Sequence, residues 1–299
     1  MPNPKVSVII PNYNYSRYIS EAINSVLGQT VTDIELIVVD DGSTDGSKEI
    51  LESYGTRIRA IFQQNQGVAA ARNHGVRSSR GEFIAFLDAD DFWFPEKIAK
   101  EIEAFARDPE LGLVHVGLVE IDGGGNRLAE KSDGMVGWVA DELLRLERSV
   151  ILGGGSGFMV TREAFDAVGG FDCRLSTSAD WDLFYQIGSR YQVGFVPDIL
   201  LAYRIHGSNM HANIRAMEHD TLIGWAKAFD PAGAVPAALS KTKIYANLYR
   251  VLAASYFRNS DYTGFLRNFV KSICLRPSYL GYYLRSAFRT KARSQGPIY

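Results

Sequence analysis

Glu82-Phe83-Ile84-Ala85-Phe86-Leu87-Asp88-Ala89-Asp90-Asp91 is the stretch on which the fold turns. Glu82 to Leu87 predicts a strand apolar on both faces, as a central strand must be when helices cover both sides of a largely parallel sheet. Three carboxylates follow within four residues. Such a cluster repels itself, and its members hold protons unless something positive neutralises them. Oxygen-only ligands suit a hard divalent ion such as Mg²⁺ or Mn²⁺, with substrate phosphates completing the shell. Capping of the next helix by Asp90 or Asp91 is the plainer alternative.

The same pattern recurs upstream. Val6 to Ile10 is a short apolar strand ended by Pro11-Asn12, and Ser16 can cap a helix whose Tyr18, Ile19, Ala22, Ile23, Val26 and Leu27 share one face. Ile34 to Val39 is a second strand, running into Asp40-Asp41-Gly42-Ser43-Thr44-Asp45 and then a helix to about Tyr54. Asp41 could accept hydrogen bonds from a base edge or ribose, while Ser43 or Asp45 could simply cap that helix. Arg57 to Phe62 predicts another extended piece, Val68 to Ser78 a helix, and Pro95 the first turn of a helix through about Ala106. Alternating strands and helices with polar residues at strand carboxyl ends mark the place where open α/β sheets bind ligands. The common phosphate loops are absent: no GxxxxGK[ST] occurs, and Phe158 spoils both GxGxxG and GxSxG for Gly153-Gly154-Gly155-Ser156-Gly157.

With 299 residues, 46% apolar and 22% charged, the chain has the composition of a folded globular protein and not of a coiled coil or a disordered one. The longest apolar runs are five residues, Phe83 to Leu87 and Ile199 to Tyr203, far below a membrane span. Met1 to Tyr15 lacks the apolar stretch of a secretory leader, so a cytoplasmic location is expected. Cys173 and Cys274, about a hundred residues apart, form no disulfide framework or CxxC pair. Charge is divided unevenly. From Lys241 onward there are eleven basic residues and one acid, a net +10, and the remainder carries −12.

Five segments now stand in order: Val6-Ser7-Val8-Ile9-Ile10-Pro11-Asn12-Tyr13-Asn14, Val38-Val39-Asp40-Asp41-Gly42-Ser43-Thr44-Asp45, Asn65-Gln66-Gly67, Ala71-Arg72-Asn73 and Phe86-Leu87-Asp88-Ala89-Asp90-Asp91. Together they resemble the nucleotide-sugar half of the family 2 glycosyltransferases, over roughly Lys5 to Asn209. The resemblance implies an α/β fold of the GT-A type, with a mixed, mostly parallel central sheet, and inverting sugar transfer from a nucleoside diphosphate donor. By position it makes Pro11, Tyr13, Asp41 and Arg72 nucleoside contacts, Asp88 or Asp90 the ribose contact, and Asp90, with Asp91, the metal contact for Mn²⁺ or Mg²⁺. Inversion needs one in-line attack by an acceptor hydroxyl, hence a carboxylate as general base. The resemblance puts it in Ser178-Ala179-Asp180-Trp181-Asp182-Leu183, where Asp180 matches the aspartate of the family's Glu-Asp pair and Ala179 replaces the glutamate. Trp181 and Asp182 are then acceptor-side candidates; the alternative is a buried tryptophan and two acids favoured by the first turn of a helix capped by Ser178. Tyr203-Arg204-Ile205-His206-Gly207-Ser208 resembles a segment that closes over the diphosphate in some relatives, with His206 as a further metal ligand and Arg204 as a phosphate contact.

This reading divides the chain at 212. Residues 1–107 form the nucleotide-sugar half, 108–212 the acceptor-binding half, and 213–299 a basic helical region in which Tyr245, Leu248, Leu252, Ala253, Tyr256 and Phe257 make one stripe and Phe265, Phe269, Ile273 and Leu275 another. The basic region, with Tyr279, Tyr282, Tyr283 and Phe288 among its cations, could meet an anionic membrane at the inner face of the cell membrane, a partner, or solvent. No nucleic-acid motif accompanies the charge. The expected substrates are a nucleotide-sugar donor, a UDP-sugar by resemblance only, and a saccharide or lipid-linked saccharide acceptor in cell-surface polysaccharide assembly. Rival readings are a non-catalytic nucleotide-sugar-binding scaffold, which the loss of a carboxylate at Ala179 favours, and a nucleotidyltransferase, for which Val6 to Asn14 lacks a basic triphosphate loop.

Overall fold

The computed structural model describes residues 3–207, 213–230 and 239–283. Ser208, His211, Phe288 and the cations from Arg285 onward lie outside the described residues. The chain forms two compact units, 1–139 with 150–212, and 140–149 with 213–299. The short segment 140–149, inside the acceptor-binding half in linear order, is thus part of the second unit.

The first unit opens with β1 (Val6–Asn12), α1 (Ile19–Leu27), β2 (Ile34–Asp40), α2 (Ser47–Ser53), β3 (Arg59–Phe62), α3 (Val68–Arg77) and β4 (Phe83–Phe86). Then come β5 (Phe92–Trp93), α4 (Lys97–Arg107), β6 (Leu111–Asp122) and β7 (Arg127–Lys131). Strand β1 pairs in parallel with β2 and β4, and β2 with β3. Every residue of β1 and β4 is buried, as strands covered on both faces require. Ser16 does not cap α1. Tyr18 occupies that position, and the Ser16 N–H instead donates to Asp45 Oδ2 at 2.8 Å.

Beyond β4 the sheet changes character. After α5 (Ala140–Arg145) of the second unit, the chain returns as β8 (Phe158–Thr161), α6 (Arg162–Val168), α7 (Ala179–Gly188) and β9 (Gln192–Ile205). The sheet order is β3-β2-β1-β4-β8-β6-β9-β5, with β7 on β6. Strand β8 runs antiparallel to both β4 and β6, β5 runs antiparallel to β9, and β6 lies parallel to β9. The purely parallel part is therefore β3 to β4, whose carboxyl ends carry Asn12, Asp40-Asp41 and Leu87-Asp88.

In the second unit, α8 (Ile214–Ala228), α9 (Lys241–Arg258) and α10 (Tyr262–Leu275) follow one another, and Asp261 caps α10 by accepting the Gly264 N–H at 2.9 Å. Helix α9 buries Leu248, Leu252, Ala253 and Tyr256 of its expected stripe, whereas Phe257 is exposed. Helix α10 departs from expectation more sharply: its buried residues are Gly264, Asn268 and Ser272, and Phe265, Phe269 and Ile273 are only half-buried. Among the described residues no helix is long and apolar enough to cross a membrane.

Candidate active site

The acidic turn leaves β4 as Asp88-Ala89-Asp90-Asp91 and is closed by Asp91 N–H donating to the Asp88 carbonyl at 3.1 Å. Neither Asp90 nor Asp91 caps the next helix, since β5 intervenes and Glu96 occupies the cap of α4. The three carboxylates have separate surroundings. Asp88 takes the Arg72 guanidinium at 2.5 Å and keeps its side chain partly open. Asp90 faces His206, Oδ2 to Nε2, at 2.9 Å. Asp91 is buried and accepts the Ser156 hydroxyl at 2.5 Å and the Arg204 N–H at 2.7 Å. Burial and the neighbouring Asp88 charge push the Asp90 carboxyl above its ordinary range; burial, Asp90 and Asp88 push Asp91 up further.

Two tyrosines that linear reading did not single out for the site register the same charge. Burial first, then Asp90, Asp88 and Asp91, raises the Tyr15 hydroxyl above its ordinary value. Tyr203 is raised by burial and by Asp91, Asp88, Asp90 and Asp180, so the field of the turn and that of Asp180 meet at one phenol. Tyr18 stacks on the His206 ring at 5.6 Å, and Tyr15 meets that ring edge-on at 6.0 Å. Tyr15 before a helix and Tyr203 within a strand both look like core in a bare sequence, which is why neither carries a signal there.

The glycine cluster joins the parts. Gly153 and Gly154 have φ of +81° and +45°, in the left-handed region that favours glycine. A Cβ on Gly154 would lie 3.1 Å from Asp180 Oδ2, and one on Gly155 would lie 2.1 Å from the Arg72 guanidinium and 2.6 Å from Asp88 Oδ2. Ser156 accepts the Asp88 N–H at 3.0 Å, and its carbonyl accepts the Trp93 indole N–H at 2.8 Å. Consecutive residues of one turn therefore touch Asp180, Arg72, Asp88 and Asp91. Gly155→Ala is expected to cost about 1–3 kcal/mol through overpacking against Arg72 and Asp88, lowering the melting temperature by several degrees in thermal unfolding.

The nucleoside candidates lie around the ends of β1 and β2. Pro11 is buried in β1 opposite Val39, and Tyr13 is 47% exposed. Asp41, also buried, accepts from Gln63 Nε2 at 2.7 Å, the Gln66 N–H at 2.9 Å and the Gly67 N–H at 2.8 Å, and so shapes the loop from Gln63 to Gly67. Arg72 is buried against the Phe171 ring, 5.2 Å to its centre. Its Nε has no hydrogen-bond partner among the described residues. On the acceptor side, Asp180 lies in the first turn of α7, and its Oδ1 accepts the Trp181 N–H at 2.8 Å. Trp181 stacks on Tyr185 at 5.8 Å, and Asp182 is buried.

Arg204, expected as a phosphate contact, is engaged within the protein. It is buried, with Nε donating to the Asp90 carbonyl at 2.7 Å, one terminal nitrogen paired with Glu21 at 2.5 Å and its guanidinium over the Tyr18 ring. These contacts hold the end of β9 against the acidic turn.

A divalent ion fits this donor set. Asp90 brings a carboxylate, the oxygen donor that Mg²⁺ and Mn²⁺ prefer, and His206 sets an imidazole beside it. Among the described residues no three His, Cys, Asp or Glu side chains converge as a cage.

Comparison with known proteins identifies the family and the type of fold. A sequence model for "Glycosyl transferase family 2" matches residues 7–169, more than half of the chain. An uncharacterised glycosyltransferase of Nostoc sp. is 38% identical over 220 residues, covering 69% of this chain and 66% of that protein. The chain spans less than two thirds of this relative, and 37% and 38% of two Rickettsia relatives. Among solved structures, S. aureus TarS 1–349 in complex with UDP-GlcNAc aligns with a TM-score of 0.64 at 19% identity, covering 91% of this chain and 79% of that one. The mannosyltransferase PcManGT of Pyrobaculum calidifontis, in complex with GDP-Man and Mn²⁺, aligns with a TM-score of 0.61 at 20% identity, covering 96% and 81%. These likenesses establish the GT-A type of fold.

Proposed function

The chain belongs to glycosyltransferase family 2, and from that premise we propose that it transfers a sugar, with inversion, from a nucleotide-sugar donor to a saccharide or lipid-linked saccharide acceptor during cell-surface polysaccharide assembly. The observation that supports the proposal is proximity: a Cβ on Gly154 would lie 3.1 Å from Asp180 Oδ2, and one on the next residue, Gly155, would lie 2.1 Å from the Arg72 guanidinium and 2.6 Å from Asp88 Oδ2. In this reading the loop shaped by Asp41, together with Pro11, Tyr13 and Arg72, receives the nucleoside. Asp88 or Asp90 receives the ribose. Asp90 and His206 hold Mn²⁺ or Mg²⁺, and Asp91, fixed by Ser156 and Arg204, keeps the turn in shape and adds negative charge behind it.

When bound, the ion offsets the negative charge that grows on the departing nucleoside diphosphate. The chain's own residues do the rest. Asp180, on the acceptor side, accepts the proton of the attacking hydroxyl as the new glycosidic bond forms, which makes the hydroxyl a competent nucleophile without a covalent intermediate on the protein. Trp181 and Asp182 contribute to the acceptor side from the same helix. UDP is the preferred nucleotide; TarS was solved with UDP-GlcNAc and PcManGT with GDP-Man, so the two neighbours represent different bases. A lipid-linked acceptor would bring the reaction to the cytoplasmic face of the membrane.

Release of nucleoside diphosphate from a panel of UDP-, GDP- and dTDP-sugars, with and without Mn²⁺, tests this reading. UDP release that requires Mn²⁺ is expected. Pyrophosphate release from a nucleoside triphosphate and a sugar phosphate would instead establish a nucleotidyltransferase, and donor-induced thermal stabilisation without turnover would establish a binding module.

A further inference from the structure

Helix α10 faces the opposite way from an ordinary surface helix. Its buried residues, Gly264, Asn268 and Ser272, recur every four positions and are small or polar. They allow close packing on α9: a Cβ at Gly264 would lie 2.4 Å from the Tyr256 ring, and the Asn268 side-chain nitrogen donates to the Gly264 carbonyl at 3.0 Å. The outer ridge, at the same spacing, is Tyr262, Leu266 and Val270, exposed by 64, 58 and 48%. Phe257, at the end of α9, continues it, its ring 6.1 Å from that of Tyr262. A helix whose only neighbour is water turns such a ridge inward. A continuous exposed apolar strip marks a surface that meets something else.

Charge selects the occupant. Residues 239–283 contain seven Lys and Arg and one acid, Asp261, which is already engaged with Arg215 and the Gly264 N–H. Arg267 and Lys271 directly follow Leu266 and Val270 and so border the ridge; Arg267, half-exposed, lies over the Tyr256 ring and reaches Glu218, and Lys271 lies over the Tyr249 ring at 4.9 Å. A second copy would oppose like charge to like. Residues 284–299 add four cations and no acid, so the chain's own end is no better complement. We propose that the α10 ridge docks on an anionic lipid surface, with Tyr262, Leu266 and Val270 entering the headgroup and acyl boundary and the flanking cations meeting lipid phosphates. The purpose of such docking, delivery of a lipid-linked acceptor, rests on the function proposed above; the docking itself does not.

The test is co-sedimentation of the full chain with phosphatidylcholine vesicles, with and without phosphatidylglycerol, alongside light scattering and nucleoside diphosphate release. Binding is expected only with the anionic lipid, to weaken in high salt, and to fall about tenfold or more in Leu266→Asp/Val270→Asp, with nucleoside diphosphate release unchanged. Leu266→Gln alone, at an exposed position, serves should the double variant misfold. Equal binding to neutral vesicles, no binding at all, or a dimer that the variant dissolves while vesicle binding persists would overturn the proposal. Vesicle binding without nucleotide release would leave docking intact and remove the catalytic reading instead.

Discussion

Asp180→Asn is expected to lower turnover by about a hundredfold or more while leaving UDP affinity within about twofold of wild type. The substitution keeps size and shape, and Asn can still accept the Trp181 N–H that Asp180 accepts at 2.8 Å. What it removes is a group able to take a proton. A general base acts only as the acceptor hydroxyl attacks, so the loss belongs in kcat at saturating donor and not in donor binding. Ala179 makes this prediction sharp, because no carboxylate stands immediately before Asp180 to share the role. Wild-type turnover in Asp180→Asn would assign the base elsewhere. Unchanged circular dichroism and melting temperature separate a chemical loss from misfolding.

Asp90→Ala is expected to lower kcat/KM by about a thousandfold or more, with no rescue by excess Mn²⁺, since stabilising charge on the leaving diphosphate is a matter of several kcal/mol. Stability should not follow activity. Burial and the Asp88 charge already disfavour ionised Asp90 in the fold, so its removal relieves a conflict and forfeits chiefly the contact with His206. A melting temperature equal to or above that of the wild type is expected, the signature of a residue retained for function at a cost in stability. Thermal unfolding with steady-state kinetics on the same preparation measures both. A variant that is active but unstable would make Asp90 structural.

The parts of this site legible in sequence are those in which local chemistry and place coincide. Asp41 and the Asp88 to Asp91 turn follow apolar strands, and parallel strands carry ligands at their carboxyl ends whatever the fold's later course. Asp180 is a candidate by resemblance alone, because an acid in a helix's first turn has an ordinary explanation in the macrodipole. Gly153 to Gly157 matches no phosphate-loop pattern, since Phe158 follows it. Its role, backbone slim enough for Arg72 and Asp88 to approach, depends on which residues arrive opposite it, and spacing does not encode that. The antiparallel insertion of β8 beside β4 is a long-range pairing of the same kind. Helix α10 misled periodicity for a related reason: Phe265, Phe269 and Ile273 read as the inward stripe, but Gly264, Asn268 and Ser272 permit the closer approach to α9 and take that face.

Crystals grown with UDP and Mn²⁺, measured at the manganese absorption edge, interrogate the acidic turn most directly. An anomalous peak bonded to the Asp90 carboxylate and to diphosphate oxygens, and missing when Asp90→Ala crystals are treated identically, is the expected result. UDP seated in the cleft without any such peak, or manganese bound away from the Asp88 to Asp91 turn, would contradict it.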